Sequence, residues 1–157
     1  MKTLRWMLLI PALLVISGMV SAEGPPTVAI VVHPGVEASN LSMNQLRRIF
    51  LADQQFWPDK SRITLLVGAP GAAERNLVLD RIYQMSENEF RQYWIAKIFR
   101  AEVPSGPKIV LSANMALELV TAIPGSITSI PAEEIDPSVK VLSIDGLSPG
   151  DAEYPLR

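Results

Sequence analysis

Residues 68–75, which read GAPGAAER, are the stretch whose residue types could bind a ligand. They separate a predicted strand from a predicted helix, and their small side chains let the backbone approach a ligand. The first amides of a helix lack intrahelical acceptors and lie at the positive end of the helix dipole, so such a loop can bind an anion. Arg75 adds a bidentate cation, whereas Glu74 would repel an anion. The expected ligand groups are the N–H groups of Gly71, Ala72 and Ala73 and the guanidinium of Arg75.

His33 is the only histidine of the chain, so any Ser/His/Asp triad would have to use it. It closes a predicted strand at 27–33 and is followed by Pro34. As a ligand residue, it is expected at a strand end next to residues 68–75. The alternatives are a polar residue that only ends the strand, and the base of an envelope hydrolase.

The remaining composition argues against an enzyme. The chain contains no cysteine, which excludes disulfides, thiol nucleophiles and thiolate metal sites. The adjacent carboxylates Glu133 and Glu134 lie in a Pro-flanked loop, which is typical of a solvated turn. We therefore predict no catalytic residues, no metal and no cofactor.

The first 22 residues have the order of a secretory signal peptide. Lys2 and Arg5 precede an uncharged apolar run, and small residues end with Ala22, after which cleavage is expected. These are the only charges in residues 1–22, so 12 basic and 16 acidic residues remain, a net charge of −4. An acidic surface argues against nucleic acid as a partner. We expect a periplasmic protein that does not insert into the membrane after cleavage.

The elements that would position these residues alternate between strands and helices. Ser42 and Gln45 predict a capping box for a helix that fades near Ala52, and Ser86 and Glu89 predict another for a helix ending near Arg100. The aromatic and aliphatic residues of this second helix, including Ile98 and Phe99, are interpreted as core. Further strands are predicted at 62–67, 109–111, 126–130 and 139–144. Further helices are predicted at 72–84 and, with either Ser112 or Asn114 as its N-cap, up to Ile123. The pattern predicts an α/β domain with a largely parallel sheet flanked by helices.

Several segments in this order resemble one family. They are LSMNQLRRIF at 41–50, WPD at 57–59, the small-residue loop, YW at 93–94 and IPGSI at 123–127. Together they resemble the phosphate-binding subunit of phosphate ABC transporters, over residues 28–144. The resemblance implies a type 2 periplasmic-binding fold, here a single lobe. The family places Arg before the loop and Ser-Gly-Thr at the helix start; this chain has Gly68 and Ala72-Ala73-Glu74.

The expected organisation is a signal peptide (1–22), a linker (23–26), an α/β domain (27–145) and a polar C-terminal tail (146–157). The expected function is non-enzymatic capture of a small, phosphate-like anion, for or alongside an ABC permease. The alternative is an accessory module that contacts an envelope transporter or sensor and has lost ligand binding. Phe56 and Trp57 are its candidate contact patch, although anchoring of their turn to the core is also open.

Overall fold

The computed structural model describes residues 26–157, in which strands and helices alternate along most of the chain. The strands are β1 (Val28–Val32), β2 (Asn40–Leu41), β3 (Thr64–Gly68), β4 (Lys108–Val110), β5 (Ser126–Pro131), β6 (Lys140–Val141) and β7 (Ser143–Ile144). The helices are α1 (Met43–Phe50), α2 (Arg75–Val78), α3 (Glu87–Phe99) and α4 (Ala113–Ala122). The expected signal peptide and residues 23–25 of the linker lie outside the described residues.

Five strands form the central sheet in the order β4-β3-β5-β1-β6. β3 pairs in parallel with β4 and β5, whereas β1 is antiparallel to both β5 and β6. Four strands therefore run in one direction, and β1 alone runs against them. The α/β class with a mostly parallel sheet is confirmed.

Helices cover both faces of this sheet, which is why β1 is buried along its whole length. Val28, Ile30 and Val32 enter one core cluster, to which α1, α2 and α3 contribute. Ala29 and Val31 point to the other face, into a cluster with residues of α4. The alternation follows from the two-residue period of a strand.

Both predicted helix starts are confirmed. The Gln45 amide donates to the Ser42 hydroxyl at 3.1 Å, and the Ser42 amide donates to the Gln45 side chain at 2.9 Å. Ser86 and Glu89 form the same reciprocal pair at 2.7 and 3.2 Å. These caps satisfy amides that have no acceptor within their own helix.

The helix predicted at 72–84 is shorter and less regular than expected. Its α-helical part, α2, begins only at Arg75, and a π-helical turn at Leu79–Tyr83 follows. The segment ends at Gln84, which has a left-handed φ of 54°. The strand predicted at 139–144 is also divided, because β6 and β7 pair with different sheets.

The C-terminal half of α3 differs from its predicted role. Phe90 and Trp94 are buried as expected, but Ile98 is 43% and Phe99 is 90% exposed. Since the core lies on one side of α3, apolar residues at both of its faces cannot all be buried. The prediction that Ile98 and Phe99 belong to the core is wrong.

Residues 146–157, expected as a polar tail, pack against the domain. Tyr154 and Leu156 are buried, and the Leu156 carbonyl accepts from the Val28 amide at 2.8 Å. The segment is polar overall, so its composition did not indicate that these two apolar side chains would be buried. The last residues of the chain therefore contribute to the same core as β1.

Trp57 holds the turn between α1 and β3 to the body of the protein. It is buried, and its indole N–H donates to the Gly125 carbonyl at 2.9 Å. Gly125 has a φ of +74°, and a Cβ added there would collide with the carbonyl of Arg62. Glycine is therefore required at this crossing both for conformation and for space.

Gly125→Ala should destabilise the protein by about 3 kcal/mol, because left-handed strain adds to the steric conflict. Gly146→Ala is the matched control, since Gly146 has a φ of +77° but open space around it. It should cost only about 1 kcal/mol. Urea unfolding of both variants measures the difference, and equal losses would disprove the steric contribution.

Candidate functional site

The loop that follows β3 presents backbone amides to solvent. The turn is closed by the Ala72 amide, which donates to the Ala69 carbonyl at 3.0 Å. Gly71 has a φ of +90°, and open space surrounds the position of its missing side chain. Gly71 and Ala73 are exposed, and their amides have no acceptor among residues 26–157. The loop therefore offers the expected donors at Gly71 and Ala73, while that of Ala72 is already used.

Arg75, by contrast, is turned into the protein. Its side chain is only 2% exposed. Nε and Nη2 donate to the two carboxylate oxygens of Glu87 at 3.1 and 2.7 Å, and Nη1 donates to the Gly68 carbonyl at 2.9 Å. The guanidinium also lies 4.3 Å from the ring centre of Phe90, in a cation–π contact. This geometry contradicts the expectation that Arg75 is a free cation for a ligand.

The bidentate contact with Arg75 also changes the pKa of Glu87. Hydrogen bonds from Arg75 lower the pKa of the Glu87 carboxyl below its ordinary value of 4.5, against a smaller opposing effect of burial. Glu87 is thus ionised throughout the neutral range. The pair joins the end of β3 to the first turn of α3.

Glu74 lies beside this pair with its carboxylate folded inward. It is 8% exposed, and its carboxylate packs against Gly68 so closely that a Cβ at residue 68 would collide with it. No hydrogen-bond donor to the Glu74 carboxylate is found within the described part of the chain. An unpaired negative charge at the base of the loop opposes the binding of an anion.

His33 does not lie near residues 68–75. The His33 amide donates to the Ser126 carbonyl at 3.0 Å, and Ser126 pairs with Thr64 at the beginning of β3. Because β1 is antiparallel, its end meets the amino ends of β3 and β5, on the edge opposite to the loop. The imidazole Nδ1 accepts from the Gly35 amide at 2.9 Å, which closes a local turn. The expectation that His33 joins the loop is therefore wrong.

The chemistry open to this loop is hydrogen-bond donation from amides. The four α-helical residues of α2 supply little dipole, and the Glu74 side chain makes no cap. Within residues 26–157, no group of three or more His, Asp or Glu residues is placed to hold a metal ion. None of the helices in this range is long and apolar enough to cross a membrane.

Sequence reasoning missed the partner of Arg75. Glu87 is 12 residues away, between the two residues of the capping box, Ser86 and Glu89. One signal was present: Arg75 had no acidic residue three or four positions away on its own helix. An arginine without such a partner is free to bind a ligand, a distant carboxylate or water.

No protein-family model matches the chain, and no curated protein does. Several solved structures share its fold. PstS from Borrelia burgdorferi has a TM-score of 0.66 and 14% identity, over 83% of this chain and 54% of that protein. An ABC-type phosphate transport receptor from Vibrio cholerae has a TM-score of 0.63 and 18% identity, over 79% and 49%. A phosphate-binding protein from Stenotrophomonas maltophilia has a TM-score of 0.56 and 15% identity, over 79% and 40%.

These likenesses confirm the predicted α/β fold class, which the chain shares with the solved structures named above. The chain spans about half the length of the structures it matches. The similarity extends to the fold alone at these identities.

Glu87→Gln should lower the free energy of unfolding by about 2 kcal/mol at neutral pH, because it leaves a buried guanidinium with a neutral partner. The pKa of Glu87 is lowered in the folded state, so its contribution is present above its unfolded pKa. That contribution disappears as the pH falls below 4.5 through the folded value.

Thermal melting from pH 7 to pH 3 tests this pH dependence. The difference in melting temperature between wild type and Glu87→Gln should decrease towards acid pH. Glu133→Gln, which removes an exposed carboxylate with no ion pair in residues 26–157, should match wild type throughout. A gap that is independent of pH would contradict the assignment.

Proposed function

We propose that this chain is a non-enzymatic, solute-binding-like protein of the periplasm, which receives a small anion such as phosphate on the loop after β3. The observation that carries the proposal is the pair of exposed amides, at Gly71 and Ala73, without an acceptor in the described residues. Support also comes from two solved structures of the same fold, which are described as an ABC-type phosphate transport receptor and a phosphate-binding protein. An ABC permease is the proposed partner.

The proposed site binds weakly, for two reasons. The guanidinium of Arg75 is bound to Glu87 and to the Gly68 carbonyl, so it contributes no hydrogen bond to a ligand. A charge-assisted hydrogen bond contributes about 1.5–3 kcal/mol. Without such a bond from Arg75, the affinity for an anion is at least tenfold lower. The carboxylate of Glu74 adds repulsion. The loop is therefore suited to an anion present at high concentration.

Glu74→Gln should strengthen phosphate binding about tenfold, since it removes a negative charge a few ångströms from the loop. The same variant should fold as well as wild type, because the Glu74 carboxylate has no donor that the change would orphan. Isothermal titration with phosphate measures the first effect, and thermal melting measures the second.

Glu133→Gln makes the same chemical change at a distant exposed site and should leave phosphate affinity unchanged. An absence of heat with millimolar phosphate in both wild type and Glu74→Gln would remove the anion-binding proposal. The fold assignment would be unaffected by that result.

A second candidate function, the accessory protein-interaction module, is favoured by one surface. Ile95, Ile98 and Phe99 of α3 are 54%, 43% and 90% exposed, and they form what we call the α3 patch. Exposed aromatic and aliphatic residues grouped on one helix are typical of a protein contact. Trp57 is committed to the core, so the contact patch expected at Phe56 and Trp57 retains only Phe56, which is 52% exposed.

Phe99→Ser should abolish a complex with an envelope transporter or sensor without lowering the melting temperature, because this side chain buries little in the free protein. Photo-crosslinking from residue 95 in intact cells detects the complex. Leu111→Ser is the control, since Leu111 is 77% exposed but lies outside the α3 patch. A crosslink that survives Phe99→Ser, or is lost equally with Leu111→Ser, would contradict the role of this patch.

A further inference from the structure

A cavity of about 200 Å³ lies at the amino-terminal edge of the sheet, where β3 and β4 begin. Its walls come from the loop after α1, the start of β3, the loop between α3 and β4, and Trp94. Residues 68–75 follow the other end of β3. The cavity is therefore on the opposite edge from the loop proposed to receive an anion.

The Gln55 side chain joins the two loops that form the cavity. The Gln55 side chain donates to the Ala52 carbonyl at 3.3 Å and to the Glu102 carbonyl at 3.1 Å. The first bond is within the loop after α1, and the second reaches the loop after α3. A Cβ built on Gly106 would lie 4.0 Å from the Trp94 side chain, so the loop after α3 runs close to Trp94. The two loops are thus in contact within the protein itself.

The lining divides into an apolar floor and a cationic rim. Ile49, Trp94 and Val103 are buried and belong to the floor. Arg62 and Lys108 are exposed and belong to the rim. Such a combination, an apolar body with a few polar groups that fix orientation, is usual in small-molecule sites.

The two rim cations have no carboxylate partner within residues 26–157. The guanidinium of Arg62 lies 5.9 Å from the ring centre of Phe56, and Lys108 forms no ion pair in this range. No acidic side chain of the described chain lines the cavity. Two positive charges here stand out on a chain whose formal net charge is −2.

The adjoining loops carry three acidic residues, and none of them lines the cavity. Asp59 accepts hydrogen bonds from the amide and hydroxyl of Ser61. Asp53 and Glu102 both pair with Lys97, at 2.7 and 3.6 Å, and Glu102 also binds Arg100. Lys97 is itself buried, so these carboxylates are needed where they are. The rim is left to attract an anion from solution.

Trp94 is one of the residues of the wall. Its indole N–H is shielded from solvent and has no acceptor in the described structure. Buried indole N–H groups usually have a partner. Because Trp94 also lines the cavity, its fluorescence should respond to an occupant.

We propose that this cavity binds a small carboxylate that carries one apolar group. A cavity of about 150 Å³ accommodates a benzene ring, so 200 Å³ is sufficient for one ring or a short alkyl chain. The apolar group lies on the floor of Ile49, Trp94 and Val103, and the carboxylate binds to Arg62 and Lys108. The ligand class differs from inorganic phosphate, which has no apolar part to bury.

Benzoate and hexanoate are the probes, titrated into the protein with calorimetry and tryptophan fluorescence as readouts. We expect both to bind, and benzyl alcohol and inorganic phosphate to bind at least tenfold more weakly to this cavity. Arg62→Gln and Lys108→Gln should each weaken benzoate binding about tenfold, the loss of one charge-assisted hydrogen bond. Both side chains are exposed, so melting temperatures should stay near wild type.

Arg48→Gln and Lys60→Gln are the matched controls, since they remove exposed cations that do not line the cavity. They should leave benzoate binding unchanged. Glu74→Gln should leave it unchanged too, which separates this cavity from the loop after β3. The proposal is overturned if neither carboxylate binds at millimolar concentration, if benzyl alcohol binds as well as benzoate, or if the rim substitutions have no more effect than the controls.

Discussion

The loop after β3 depends on the guanidinium of Arg75. That one group contacts the last carbonyl of β3, the carboxylate of Glu87 and the ring of Phe90, so it joins a strand to the helix α3 across a short and irregular α2. A buried guanidinium is costly unless all its contacts are made, and once they are made it cannot also serve a ligand. Arg75, which the sequence suggested as the cation of an anion site, is therefore bound within the fold instead.

The direction of β1 is the second constraint. It lies between β5 and β6 and runs against four parallel strands, so the residues at its end reach the edge where β3 begins. This separates His33 from the loop by the length of the sheet. The two ends of β3 also carry different groups. The loop after β3 has amides without an acceptor in residues 26–157, and the start of β3 borders an apolar cavity with Arg62 and Lys108 at its rim.

Local signals predicted most of the fold and little of the site. Ser42 and Ser86 cap their helices as predicted, because a capping box is decided within four residues. The Arg75–Glu87 pair, the orientation of β1 and the burial of Leu156 are each decided by residues far apart in the sequence, and periodicity carries no information on them. The exposure of Phe99 has the same origin, since which face of α3 is buried depends on what packs against it.

Charge distribution connects the two edges. At the loop after β3, the inward carboxylate of Glu74 counteracts the amides, and Arg75 does not compensate for it because its guanidinium is bound to Glu87. At the start of β3 and β4, Arg62 and Lys108 have no acidic neighbour in the lining, because Lys97 holds Asp53 and Glu102. Because Lys97 binds these two carboxylates, neither of them pairs with Arg62 or Lys108. On electrostatic grounds, this edge of the lobe attracts an anion more strongly than the edge whose loop first suggested one.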